Sequence, residues 1–489
     1  MYSLGIDIGG TGCKCVAFTA DGVQHAQAYM EYHIPSGATT LSPQILKESV
    51  LFVLGKCLKE INPQEVIAIT VASFGESFVA LSKDGNPIGD ILLYFGNHAT
   101  SSFNDVVDKI GKEIFVKIAK ILPDPSFSLA NMLYTKEVAD KPVWKFLFIG
   151  SYITYILSGK TTTDISLACR SLLFDVERKD WSNELLEKTG ISKNELPDVI
   201  PTGSVVGTIL PELAHHYGLR EDVAIVIGGH DQIVNALGAG VLKPGDAVDT
   251  SGTCECITPL FGEMPNNTQF HENHFACVPY LDTNGYVTYA YNISAGSVVR
   301  WFRDCFEDAF QAQAKASGKS IYDYLNDICP NEPSDLLVLP FLQGMGGTPE
   351  VDPNATGLIA GLTTNTRLPD IYRAILEGIT LEMRYNQEKL SHGGIKFSRL
   401  YACGGGSKSA PWLQIKADIL GSEIIRIPSE ETGAMGSAIL GFAAILKKPV
   451  FQVAESFLHY GESYLPNPEN QAVYDKKYAL YSCLREFYT

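Results

Sequence analysis

The chain has 489 residues, 45% of them hydrophobic and 19% charged, with a formal net charge of −17. That length predicts two domains rather than one core, and the composition excludes a disordered chain. The acidity, with no basic stripe to offset it, excludes a nucleic-acid partner. Met1-Tyr2-Ser3-Leu4 lacks the basic opening of a secretory signal. The longest apolar stretch, 143–157, contains Lys145, Gly150 and Ser151 and is too short and polar to span a bilayer. Eleven cysteines, an odd number, fit reduced thiols. Cys13/Cys15 and Cys254/Cys256 have no clustered histidine beside them and read as small strand residues rather than zinc ligands. The expectation is a soluble, cytoplasmic protein with no membrane partner.

In chain order, a strand before Asp7 leads into Gly9-Gly10-Thr11, and a second strand over 15–19 runs to an Asp21-Gly22 turn. A helix is predicted over 42–59, with Ser42 as N-cap and Pro43 at the first helical position. Strands follow over 66–72 and 78–81, then helices over 114–121, 144–157 and 181–189. The apolar run Ile225-Val226-Ile227 reads as a buried strand. Gly228-Gly229 breaks it, His230-Asp231-Gln232 forms the corner, and a small-residue helix is expected over 233–240. Lys243-Pro244-Gly245 turns the chain into a strand ending in Asp249-Thr250-Ser251-Gly252-Thr253. The second half has strands over 286–291, 336–340 and 399–403 and helices over 297–310, 369–390, 411–420 and 433–446. Strands and helices mix in both halves, so the fold class is α/β.

Asp7-Ile8-Gly9-Gly10-Thr11 and Asp249-Thr250-Ser251-Gly252-Thr253 share the pattern D-x-x-G-T, and 249 − 7 = 242 is close to half the chain. Five residues do not prove a repeat, but they place one strand-and-glycine-turn device at the start of each half. In the first, Gly10 lets backbone amides approach phosphate, Thr11 adds a hydroxyl and Lys14 a charge, while Asp7 can orient waters on magnesium. The alternative is a plain glycine hairpin with an exposed lysine. In the second, Gly252 and Thr253 offer amides and hydroxyls, and a solvated turn is the alternative. Gly404-Gly405-Gly406-Ser407, between a strand and a helix, lets a flat ligand lie on the backbone. It is not the dinucleotide fingerprint. Gly433 and Ala434 open a later helix, either completing that pocket or simply starting the helix. Asp231 at a helix start is ordinarily a cap. Flanking phosphate loops favour a proton-accepting role instead. For His230, packing or a hydrogen bond is the preferred reading.

These motifs resemble the FGGY family of carbohydrate kinases, in the actin-like ATPase superfamily, from end to end, with a general pattern nearest to xylulokinase-like members. The most specific match is Gly357-Leu358-Ile359-Ala360-Gly361-Leu362 followed by Asp370-Ile371 and Ala374-Ile375-Leu376-Glu377. The N-terminal signature is degraded: Asn131 stands where lysine is usual and Tyr134 where tryptophan is usual. The resemblance implies two ribonuclease-H-like domains, 1–243 and 244–489, flanking a cleft, with sugar mainly on the first and ATP mainly on the second. It implies Asp231 as general base, Asp7 near Mg2+ through water, Thr11 and Thr253 in phosphate loops, and Gly405 and Gly406 at the adenosine. Glu76 falls where glycerol kinases place a hydroxyl-binding glutamate. Glu76, Asn97, His98, Asp231 and Gln232 would form a pocket for a polyhydroxyl acceptor. A pentulose such as xylulose is the first expectation, a polyol or sugar acid the second, and a non-kinase actin-like ATPase the reading from another class. The resemblance is compatible with a homodimer.

Overall fold

The computed structural model describes residues 1–489 except Ser36, Asn97, Ala99, Asn266, Asn267, Asp282 and Thr489. Packing divides the chain into two compact units that are discontinuous in sequence. The first comprises Met1–Gly240, Ala276–Tyr286 and Glu431–Leu458; the second comprises Val241–Phe275, Val287–Glu430 and His459–Thr489. The sequence-based division after residue 243 lies three residues from the first of these junctions. The helix expected over 433–446 belongs by packing to the first unit.

The first unit is built on a six-stranded sheet in the order Val205–Thr208, Ala224–His230, Val66–Ser73, Tyr2–Ile8, Gly12–Phe18, Gln24–Glu31. Tyr2–Ile8 runs antiparallel to Gly12–Phe18 and parallel to Val66–Ser73, which is parallel to Ala224–His230. Central strands covered on both faces need apolar side chains throughout, and all eight residues of Val66–Ser73 are buried. In register, Ile8 lies beside Ser73 and Ser73 beside His230, so three strands end in one row. The turns after them, at 9–11, 74–77 and 231, therefore share one end of the sheet. Ligands of open α/β sheets bind at such strand ends.

The second unit repeats the device. Asp246–Ser251 is antiparallel to Glu255–Phe261 and parallel to Arg399–Cys403, which is parallel to Glu423–Arg426. The matching pairing pattern gives the five-residue D-x-x-G-T echo a structural counterpart. The long helix Leu368–His392 is anchored to the C-terminal helix Pro468–Tyr488 by buried ion pairs, Glu377 with Lys477 and Glu382 with Arg485.

Several expectations are corrected. The stretch 144–157 is not one helix but a strand, Lys145–Phe148, running directly into a helix, Ile149–Ser158. The strand pairs antiparallel with Phe78–Leu81, so a cross-strand ladder overrides a continuous apolar pattern. The strand expected over 286–291 is two short ones, Tyr286–Val287 and Ala290–Asn292. The corner helix begins at Asp231, two residues earlier than expected. The helix Pro43–Leu58 matches its expectation, with the Ser42 hydroxyl accepting from the Gln44 amide.

The helix Thr432–Leu446 meets its neighbours backbone to backbone. A Cβ on Gly5 would fall 2.0 Å from the Ala434 carbonyl oxygen, one on Gly238 2.0 Å from that of Thr432, and one on Gly436 1.8 Å from that of Val234. Gly436→Ala is therefore expected to lower the unfolding free energy by about 3 kcal/mol or more. Gly10→Ala, whose Cβ would meet nothing within 4 Å, should change it by about 0.5 kcal/mol or less. Urea denaturation of the two variants checks the contrast.

Candidate active site

The corner after Ala224–His230 sets Asp231. Gly229 has φ +90°, and a Cβ there would lie 2.5 Å from Asp164 Oδ2 and 2.6 Å from Ser166 Oγ. A glycine is required because the strand end must bend against that buried pair. The Ser166 hydroxyl accepts from the His230 amide at 2.8 Å, and Asp164 in turn accepts from the Ser166 amide at 2.8 Å and the Thr202 hydroxyl at 2.6 Å. His230, not Asp231, caps the next helix: its Nδ1 accepts from the Gln232 amide at 3.3 Å. Burial holds the His230 imidazole well below its ordinary range, and Arg170 lowers it further, so the ring is neutral at neutral pH. The preferred hydrogen-bonding reading of His230 holds in this form.

Asp231 is thus the first residue of Asp231–Ala239 and is not its cap. Solvent reaches 28% of its side chain, yet protein surrounds it. Burial raises its carboxyl well above the ordinary range, and Asp7 and Glu76 raise it further, opposed by the Gln232 amide and by Arg170. Asp7, one position before the end of its strand, is also raised by burial, against the pull of Lys14. The Lys14 ammonium is 2.8 Å from Glu431, so its charge is compensated. Thr11 is exposed at the hairpin tip, and Gly10 beside it is partly so.

Glu76 lies in the left-handed region at φ +64°. A non-glycine residue there costs on the order of 1 kcal/mol, a strain that collects at functional positions. Arg170, which sequence reasoning missed, bonds Glu76 Oε1 through Nε and Nη2 and stacks 4.8 Å over Phe127. Its only sequence signal was an arginine in a loop. A Cβ on Gly75 would lie 2.8 Å from both Arg170 Cγ and His230 Cδ2, which shows how tightly this corner is filled. Gln232 Oε1 is buried with no hydrogen-bond partner among the described residues, as is Asn131 Nδ2. Unmet polar atoms of that kind are costly unless a ligand or water meets them. His98 is held on the Thr39 carbonyl at 3.2 Å, its ring 6.4 Å from that of Tyr134. Asn97 lies outside the described residues.

Gly433 is also in the first unit: a Cβ on it would stand 2.7 Å from Asp7 Oδ2, and Ala434 is fully buried against the strand carrying Gly5. Gly405, Gly406 and Ser407 are in the second unit. There Gly404, at φ +81°, lets the turn pass the Ser251 carbonyl, where a Cβ would lie 2.7 Å away. Gly405 is exposed, Gly406 packs on Trp412, and Ser407 is buried, its hydroxyl donating to the Gly404 carbonyl at 2.8 Å. Gly252 and Thr253 are exposed between two strands. The Thr253 carbonyl accepts from the Ser297 amide at 3.0 Å, and Arg300 reaches the Thr253 hydroxyl at 3.4 Å.

The FGGY family of carbohydrate kinases accounts for nearly the whole chain: its N-terminal domain matches residues 2–238 and its C-terminal domain residues 250–445. The chain belongs to this family. It is a phosphotransferase with an alcohol group as acceptor and ATP as donor. Among curated proteins it is similar to a xylulose kinase of Lactococcus lactis, 27% identical across 98% of this chain and 95% of the relative. It is 26% identical to a gluconokinase of Bacillus subtilis across 96% and 92%. The fold matches a ligand-bound xylulose kinase from Lactobacillus acidophilus at TM-score 0.88, with 23% identity and 99% and 98% coverage. A gluconate kinase from the same organism matches at TM-score 0.88, with 23% identity and 99% and 97% coverage. Among the described residues no helix is long and apolar enough to cross a membrane.

The raised Asp231 carboxyl carries a stability consequence. Its folded-state pKa exceeds the unfolded one, so its ionisation costs the native state, and the stability it lends at low pH is lost as pH rises through the folded value. Asp231→Asn should therefore melt no lower than wild type at pH 7, and its relative Tm should fall behind as pH drops from the raised folded value to about 4, the ordinary aspartate value, and change no further below it. Thermal unfolding across pH measures this.

Proposed function

We propose that the chain transfers the γ-phosphoryl group of ATP to a primary hydroxyl of a neutral ketose, a pentulose such as xylulose, with Asp231 as general base. The observation that carries this reading is the charge of the acceptor side. Asp7 and Glu76 both raise the Asp231 carboxyl, and the cation beside it, Arg170, is engaged by Glu76. A neutral polyol chain suits that field. A sugar acid would bring another negative charge into it. Arg170 holds Glu76 through Oε1, and Gln232 Oε1 is unmet among the described residues, so Glu76 Oε2 and Gln232 Oε1 are suited to accept from substrate hydroxyls. The xylulose kinase relative, similar over nearly its whole length, supports the same substrate.

Asp231 is suited to a base because it is not spent on capping and its affinity for a proton is raised toward neutrality. The in-line attack of the deprotonated oxygen on phosphorus needs positioning and charge stabilisation more than covalent chemistry. The exposed turns with Gly10 and Thr11, and with Gly252 and Thr253, are suited to offer backbone amides to phosphates. Gly405 and Gly406 leave open backbone for the adenosine, with Ser407 bracing the turn. Mg2+ fits the donor set in one way only. Among the described residues no group of three or more His, Cys, Asp or Glu could hold a metal. Asp7, a partly buried carboxylate whose neighbouring lysine is already paired, suits an ion that keeps its waters and the nucleotide's phosphates as its other ligands. Bound there, it would neutralise charge on the transferring group. Cytoplasmic residence is supported by eleven cysteines, all free thiols.

A second reading, gluconate, is favoured by one observation: Arg170 is a partly buried guanidinium that could exchange Glu76 for a substrate carboxylate. A panel of xylulose, gluconate and glycerol with ATP decides: the highest kcat/KM should fall on xylulose, and preference for gluconate would reverse the substrate assignment. Asp231→Asn should lower kcat on order of 10³-fold. The wild-type kcat/KM should decline as pH falls through the raised Asp231 pKa, because protonation removes the acceptor; turnover near wild type in the amide variant would remove the assignment. Arg170→Met should raise the sugar KM far more than the ATP KM, since Glu76 would lose its anchor.

A further inference from the structure

Beneath the Gly252–Thr253 turn lies a set of charges that the reaction as described does not use. Asp249, Glu255 and Lys416 are each fully buried. The Lys416 ammonium is 2.5 Å from Asp249 Oδ2, 2.8 Å from Glu255 Oε1 and 2.5 Å from the Ser251 hydroxyl, and it sits 4.6 Å over the Trp412 ring. Asp249 and Ser251 belong to the strand entering the turn, and Glu255 opens the strand leaving it. Lys416 and Trp412 belong to the helix Ala410–Leu420, and Trp412 packs against Gly406. One ammonium thus ties both sides of the phosphate-loop hairpin to the helix that follows the glycine turn at 404–407.

We propose that Asp249, Glu255 and Lys416 are positioning residues for the nucleotide, holding the Gly252–Thr253 turn through a single shared proton whose loss weakens nucleotide binding. This rests on the reading of Gly252 and Thr253 as nucleotide contacts. Two carboxylates and one ammonium are neutral together only if one carboxyl keeps its proton. Burial pushes the Glu255 carboxyl up to about 8, with Asp249 raising it and Lys416 opposing. Lys416 stays protonated: burial acts to lower it, and its two carboxylate partners outweigh that. The groups facing Glu255 are Asp249 and Ser251 on one strand, Lys416 on the helix, and the uncharged Asn292 across the other strand pair. The nearby cation on the helix Gly296–Ala316, Arg300, is on the solvent side at Thr253. Above the Glu255 pKa the cluster carries a net negative charge directly under a turn that receives phosphates. By linkage, a bound polyanion favours the protonated cluster, so binding takes up a proton.

Calorimetric titration of the full chain with MgADP, in two buffers of different ionisation enthalpy, reads this directly. At pH 8 the wild type should take up a fraction of a proton on binding, and its Kd should rise by about fivefold between pH 7 and 9, the effect over that range of a one-unit rise in one pKa near 8. Glu255→Gln, which mimics the protonated carboxyl, should abolish both the uptake and the pH dependence. Absence of proton uptake by the wild type at pH 8, or uptake unchanged in Glu255→Gln, overturns the proposal while leaving nucleotide binding intact. If the variant does not fold, the wild-type uptake alone decides. Failure of MgADP to bind at any pH would instead remove the nucleotide reading of the turn, and this inference with it.

Discussion

The approach of the helix Thr432–Leu446 to the backbone of the first unit is the constraint on which the active-site geometry depends. Gly5, Gly238 and Gly436 lie within contact of carbonyl oxygens on neighbouring elements, at places where no side chain fits. A segment from late in the chain is thereby pressed between the first strand and the helix that begins at Asp231. This contact carries Glu431 to Lys14 and Gly433 to Asp7, and the Thr432 hydroxyl donates to Asn235 at 2.6 Å. Interiors packed this densely transmit any displacement. The strand bearing Asp7 and the helix bearing Asp231 are therefore held by one wedge.

A second constraint is electrostatic. Three carboxylates share one sheet end in the first unit, and two more are buried under the turn of the second. Each cluster contains a cation paired with its carboxylates: Arg170 with Glu76, Lys416 with Asp249 and Glu255. Removing one member of such a set strands the others, which is far more costly than replacing the whole set with apolar groups. The left-handed Glu76 and the unmet Gln232 Oε1 belong to the same pattern of local cost at a functional end.

The two units are alike in how their strands pair. Both pair a first strand antiparallel with the second and parallel with a later one. In the first unit the strand Val66–Ser73 leads to Glu76 and Ala224–His230 to Asp231, acids suited to an alcohol. In the second the corresponding parallel strand, Arg399–Cys403, leads to the glycine turn 404–407, suited to a flat ring. One pairing pattern thus presents two different sets of groups at the ends of its strands.

What the sequence by itself determined was local and periodic. The buried strands at 66–72 and 399–403, the capped helix after Ser42 and the glycine turns were legible because apolar runs, an N-cap with proline and Gly-rich breaks act over a few residues. The signature from Gly357 to Glu377 carried the family. Only the tertiary structure decided matters that depend on residues far apart in the chain. Arg170 meets Glu76 from 94 positions away and Lys416 meets Asp249 from 167, so no spacing could reveal either pair. The strand at Lys145–Phe148 exists because Phe78–Leu81 pairs with it, and the helix Thr432–Leu446 belongs to the first unit because three glycines let it approach. Local pattern selects the element, while burial and charge compensation, which are sums over distant neighbours, select its partner and its chemistry.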